Sequence, residues 1–168
     1  MNSLILSFAA AASIDLNDFL ASQPTSDVNL YNSMIPANQT LVYAGLTTGE
    51  QNTQNYDCTN GAYVLSGANA TIEDGDVTHF FLGYGSLPTW SDIDGSLVTG
   101  LGKAAFSSPE GASNIKWLKV SPTKPSGNGT LSSIKTVLRT FTVGGQAPAS
   151  CVNGSLTVPY QALYTFYA

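Results

Sequence analysis

Charged side chains are scarce in this chain: Asp, Glu, Lys and Arg make up 10% of its 168 residues, against about a quarter in an ordinary soluble domain. So little charge leaves hydroxyls and amides to keep the surface wet, a composition common among secreted β proteins. Basic residues are scarcer still. Six Lys and Arg stand against eleven Asp and Glu, for a net charge of −5, and they do not cluster. A cationic stripe able to displace counterions from phosphates is missing, which excludes nucleic acid as a partner. Histidine occurs once, at His79, too few for a zinc or copper centre built on imidazoles. No run approaches the eighteen or so uninterrupted apolar residues of a membrane helix, so no membrane span is expected. There is no Cys-x-x-Cys pair and no Gly-x-Ser-x-Gly nucleophile elbow. No cofactor is expected.

The two cysteines, Cys58 and Cys151, lie far apart in sequence. One disulfide is the simplest reading and would close a loop of about a hundred residues, with a chain-entropy ceiling of about 4 to 5 kcal/mol. Two buried thiols are the alternative. Asn-x-Ser/Thr sequons begin at Asn38, Asn69, Asn128 and Asn153, each beside turn-like residues. With so much Ser and Thr, two or three would arise by chance, so they support secretion only modestly. The opening stretch Met1–Ser13 has the apolar run and small residues of an export signal without its basic start, and an added Met on a mature chain fits equally well.

A chain of this length is expected to form one domain and to bury roughly 70% of the surface its unfolded form exposes. Residues 1–37 read as an N-terminal segment with a short helix, capped by Ser13 and running through Leu20 until Pro24 stops it; 27–36 reads as irregular, with one turn of helix at most. Residues 38–168 read as short strands divided by turns. These are 40–47, 54–58 and 62–66 around an Asn60-Gly61 hairpin, 79–84, 96–106, 115–120, 131–143 and a terminal strand. In the last, Val158, Tyr160, Ala162, Tyr164 and Phe166 fall on one side. In the 131–143 strand, Val137, Phe141 and Val143 share a face with Lys135 and Arg139. The stretch 121–129, with Pro122 and Pro125, reads as a loop. Such a succession predicts an all-β antiparallel sandwich, with a partly open β-barrel as the alternative.

Six ordered motifs carry a family resemblance: TQNYDC (Thr53–Cys58), His79 followed by PTW (Pro88–Trp90), DGS (Asp94–Ser96), IKWL (Ile115–Leu118), GGQAPASC (Gly144–Cys151) and VPYQALYTFY (Val158–Tyr167). Over Leu41–Ala168 the chain resembles a fungal secreted family of unknown function whose members often carry the label "malate dehydrogenase-like". The resemblance implies a secreted single-domain β-sandwich with Cys58 bonded to Cys151, and it carries over no established activity. The chain departs from the family pattern at Asn52, at Lys116 and in a longer Leu82–Leu87 gap. Gly100, Gly102 and Ala105 do spell a dinucleotide fingerprint. The helix and the ribose-binding acid that it needs do not follow.

The chemistry-bearing residues gather between Thr78 and Gly100. His79 is the one side chain with an ordinary pKa near neutrality, so any histidine-based proton transfer must use it, with Asp92 or Asp94 as partner. Tyr84, Trp90 and Trp117 supply flat surfaces for a ligand beside His79 and Asp94, although aromatics in β proteins are mostly core. Calcium at Asp92/Asp94 or at Glu73/Asp74/Asp76 lacks the spacing of a known loop. The resulting expectation is a secreted, noncatalytic extracellular protein that binds a polysaccharide or another extracellular component. A small hydrolase using His79 with Asp92 or Asp94, and a self-assembling coat or adhesion subunit, are the competing readings.

Overall fold

The computed structural model describes residues 14–47, 51–73, 76–82 and 87–168, with the backbone alone at residues 82, 102, 103 and 124. Met1–Ser13, Asp74 and Tyr84 lie outside the described residues. Two helices come first, α1 (Leu16–Ala21) and α2 (Thr25–Met34). Asp15 caps α1, its carboxylate accepting from the Asn17 and Asp18 amides at 2.9 and 3.3 Å. Pro24 begins α2 rather than ending all helix: its missing N–H and fixed φ suit the first helical turn, and Asp27 there complements the helix dipole. At the other end, Lys119 Nζ donates to the Met34 carbonyl at 2.9 Å. The expectation of an irregular 27–36 segment is thus corrected to a ten-residue helix. Its weak apolar periodicity hides it, because only Tyr31 and Met34 face fully inward as apolar anchors.

Among the described residues nine strands follow: β1 (Leu41–Leu46), β2 (Thr53–Thr59), β3 (Ala62–Ile72), β4 (Val77–Leu82), β5 (Leu87–Asp92), β6 (Leu97–Phe106), β7 (Trp117–Ser126), β8 (Thr136–Gly144) and β9 (Ser155–Tyr167). All pairings between them are antiparallel. Asn60 and Gly61 carry the expected turn of the β2–β3 hairpin, with φ of 52° and 82°, the left-handed pair that such turns require. Strand β5 was not foreseen. Residues 130–133 form a 3-10 turn rather than the start of a strand. β7 runs through both prolines: Pro122 lies opposite Gly100 and Pro125 opposite Val98 on β6, while β8 pairs only with Leu118–Val120. Beyond Val120 the other edge of β7 has no ladder with β8 to break, so the missing N–H groups are tolerated.

The sandwich expectation is corrected to the barrel alternative, and the barrel is closed. β9 is 13 residues long. Its first part pairs with β2, its second with β1, and its opposite edge with β8. The circuit β9-β2-β3-β4-β5-β6-β7-β8-β9 therefore closes on itself, with β1 as an added strand. Closure removes the sheet edges that a sandwich leaves open.

Two apolar clusters result. The barrel interior holds Ile72, Val77, Trp90, Val98, Val137, Tyr164 and Phe166, among others. The second lies outside the barrel wall, where α1 and α2 cover Trp117, Leu138, Phe141, Leu163 and Tyr167. β9 thus buries Tyr160, Ala162, Tyr164 and Phe166 inside, as its alternation predicts, and Leu163 and Tyr167 beneath the helices. Phe141 breaks the face assigned to it with Val137 and Arg139. A bulge between Thr140 and Val143, with Phe141 at φ 48°, turns its ring outward against Trp117, Phe19 and Tyr31 at centroid distances of 4.7, 5.2 and 5.7 Å. The left-handed conformation costs such a residue about 1 to 2 kcal/mol, which the burial of its ring offsets.

Cys58 and Cys151 are disulfide-bonded across a separation of 93 residues, tying the tip of the β2–β3 hairpin to the β8–β9 connection. Asn38, Asn69, Asn128 and Asn153 are all exposed. No helix among the described residues is long and apolar enough to cross a membrane.

Candidate functional site

Strand alternation aims His79 into the barrel, with Thr78 exposed beside it. Across the β4–β5 ladder it stands opposite Trp90, and the two rings stack with centroids 4.7 Å apart and planes 16° apart. Phe81 and Tyr164 close around the imidazole at 5.7 and 5.6 Å. His79 is 3% exposed and Trp90 2%. The His79 Nδ1 lies 2.9 Å from the Thr89 carbonyl oxygen. A carbonyl only accepts, so Nδ1 carries the hydrogen and Nε2 presents a lone pair. Burial, reinforced by the Arg139 cation, pushes the His79 pKa down to about 3, against the opposing pull of the Thr89 bond. The ring is neutral across the physiological range.

The carboxylates proposed as its partners are engaged elsewhere. Asp92 Oδ1 accepts from the Asp94 amide at 3.0 Å. Asp94 accepts from the Ser96 hydroxyl at 2.6 Å, the Ser96 amide at 2.8 Å and the Thr130 amide at 2.7 Å. The Ser96 hydroxyl, followed by the Thr130 and Ser96 amides, holds the Asp94 pKa down to about 2. Asp94 is a clasp between the β5–β6 turn and the 3-10 turn. Gly129 lies so close to its carboxylate that a Cβ there would collide with it. Trp117, fully buried, sits in the outer cluster beneath the helices, so it shares no site with Trp90. Among the described residues no three His, Cys, Asp or Glu side chains form a metal-binding group.

The fingerprint glycines lie within strand β6, which continues to Phe106. At Gly100 a Cβ would stand 2.7 Å from the Ser121 carbonyl oxygen and 2.9 Å from Pro122 Cα. Close approach of β6 to β7, not a pyrophosphate, explains that glycine.

What His79 and Trp90 border is a cavity of about 80 Å³ inside the barrel. Arg139 and Tyr164 line it as well, and sequence reasoning did not single them out. The signal was present: Arg139 shares its strand face with Val137, an apolar interior position, so a cation there had to enter the interior.

The arrangement defines the class of molecule: a closed antiparallel β-barrel, stapled by one disulfide, with an aromatic interior around a neutral histidine. Residues 73–168 match the profile of the family described as "Protein of unknown function (DUF3455)". The match spans more than half the chain, from the residue after β3 through β9, and the chain belongs to that family. No match is found among curated proteins or solved structures.

Proposed function

We propose that the protein is an exported, noncatalytic member of its family that acts by binding, with the barrel interior at His79 and Trp90 as its chamber. The single observation that supports this most is the state of His79. It is neutral, held by a backbone carbonyl and stacked on Trp90, while Asp92 and Asp94 spend their hydrogen bonds on the adjacent turns. A base with its pKa so far below neutrality drives proton transfer poorly. Export is supported by the disulfide, which persists in oxidising compartments, by four exposed sequons, and by the resemblance to fungal secreted proteins. A polysaccharide is a poorer candidate than a small ligand, because both Trp90 and Trp117 are enclosed and neither offers a flat outer face to a sugar ring. The test is a hydrolysis screen with chromogenic esters, glycosides and peptides, comparing the wild type with His79→Gln. We expect no turnover from either. Turnover that disappears in a folded His79→Gln protein would establish the hydrolase instead.

A further inference from the structure

We propose that the barrel interior is a chamber for a short-chain monocarboxylate, held by the Arg139 guanidinium against the His79–Trp90 stack. The proposal rests on the reading of this chamber as a binding site and names the ligand class. Its first support is an unanswered cation. One Arg139 nitrogen, Nη2, donates to the Lys116 carbonyl at 2.9 Å, and the guanidinium also bears on the Tyr164 hydroxyl. Arg139 Nε is buried with no acceptor. Among the described residues Arg139 forms no ion pair. Arg139 is half-buried, with its Lys116 bond on the exposed side and its Nε edge enclosed, and the enclosed edge of a partly desolvated cation favours an anionic acceptor.

A second orphan points the same way. Trp90 Nε1 is also buried without an acceptor, and Trp90 lines the same cavity as Arg139. Tyr164 already shares its hydroxyl with Tyr160 at 2.9 Å. The chamber therefore has donors to spare and a positive charge, the chemistry that selects an anion. A planar carboxylate matches the forked donors of a guanidinium.

The remaining walls set the rest of the ligand. Leu65, Phe81, Pro88 and Val120 are apolar, so a phosphate or sulfate would leave its further oxygens facing hydrocarbon. The volume of about 80 Å³ is roughly half of the ~150 Å³ that admits a benzene ring, which limits the tail to a few carbons. Leu65, at 40% exposure, marks where the chamber reaches the surface.

Because His79 is the only histidine, its ring resonances report on this chamber without overlap. The experiment titrates histidine-labelled protein with sodium propionate, using propionamide and sodium chloride as matched controls. We expect a saturable movement of the His79 resonances with propionate alone, and a His79 pKa that rises on binding because an anion favours the charged imidazole. Arg139→Gln should weaken the response at least tenfold, and Arg139→Lys should retain part of it. Should the arginine variants fail to fold, Leu65→Trp at the exposed rim should block the same response. An equal response to propionamide, an undiminished response in folded Arg139→Gln, or no response in the wild type would each overturn the proposal. The noncatalytic reading would still stand, since hydrolysis alone judges it.

Discussion

The barrel encloses one aromatic cluster and wears another on its outer wall, and the two differ in how they are finished. Each is built on a tryptophan with its indole N–H buried and unpartnered. Outside, α1 and α2 close over Trp117 and Phe141 with ring against ring, and Lys119 donates to the carbonyl at the end of α2. Inside, the stack of His79 on Trp90 stops short of filling the space, and a cation faces the gap. Aromatic content alone does not distinguish a wall from a receptor. The orphan indole N–H is common to both, so the distinction lies in the unfilled volume and in the cation that lines it.

That contrast can be strained from both sides. The largest effect is expected at Phe141→Ala, which empties the centre of the outer cluster and should lower the unfolding free energy by about 3 to 5 kcal/mol, measured by denaturant titration. A loss under 1 kcal/mol would mean that the helices are not anchored there. The inner cluster should respond to acid instead. The folded His79 pKa of about 3 lies below the ordinary 6.5, so the neutral ring's contribution is complete above pH 6.5 and lost as pH falls toward 3. The slope from this one group is about 1.4 kcal/mol per pH unit. The groups facing the ring are the Arg139 guanidinium on β8 and the Tyr164 hydroxyl on β9, whose pKa burial raises further from that window. His79→Phe should accordingly flatten the acid limb of the stability curve, and an unchanged limb would show that the imidazole is solvated. The smallest effect is expected at Tyr31→Phe, which removes one partner of the buried 2.7 Å bond to Tyr167 and should cost about 1 kcal/mol with no change in the His79 resonances.

Sequence legibility followed the range of the interactions. Asn60-Gly61 declared its hairpin because the signal is carried by two adjacent residues, and the β9 alternation declared its inner face because a strand's period is local. Strand β5 pairs with its sequence neighbours β4 and β6 but carries no alternation of its own, while the passage of β7 through Pro122 and Pro125 and the closure of the barrel depend on partners farther along the chain. Helix α2 was hidden for the same reason, being fixed by Tyr167 and Lys119 more than by its own pattern. His79 and Trp90 stood out as rare residues, and the structure places them in contact. Asp94 and Trp117 stood out equally and went to other duties. Arg139 was legible as a charge on an apolar face, but its meaning required the opposite wall.

β9 supplies a rung to three neighbours at once, yet it is made after all of them. Until residues 155–167 have left the ribosome, the nascent polypeptide is an open ribbon with the flanks of β2 and β8 both bare, shapes prone to sticking to other chains. The enclosed interior around His79 and Trp90 therefore comes into being only when residues 155–167 join both flanks.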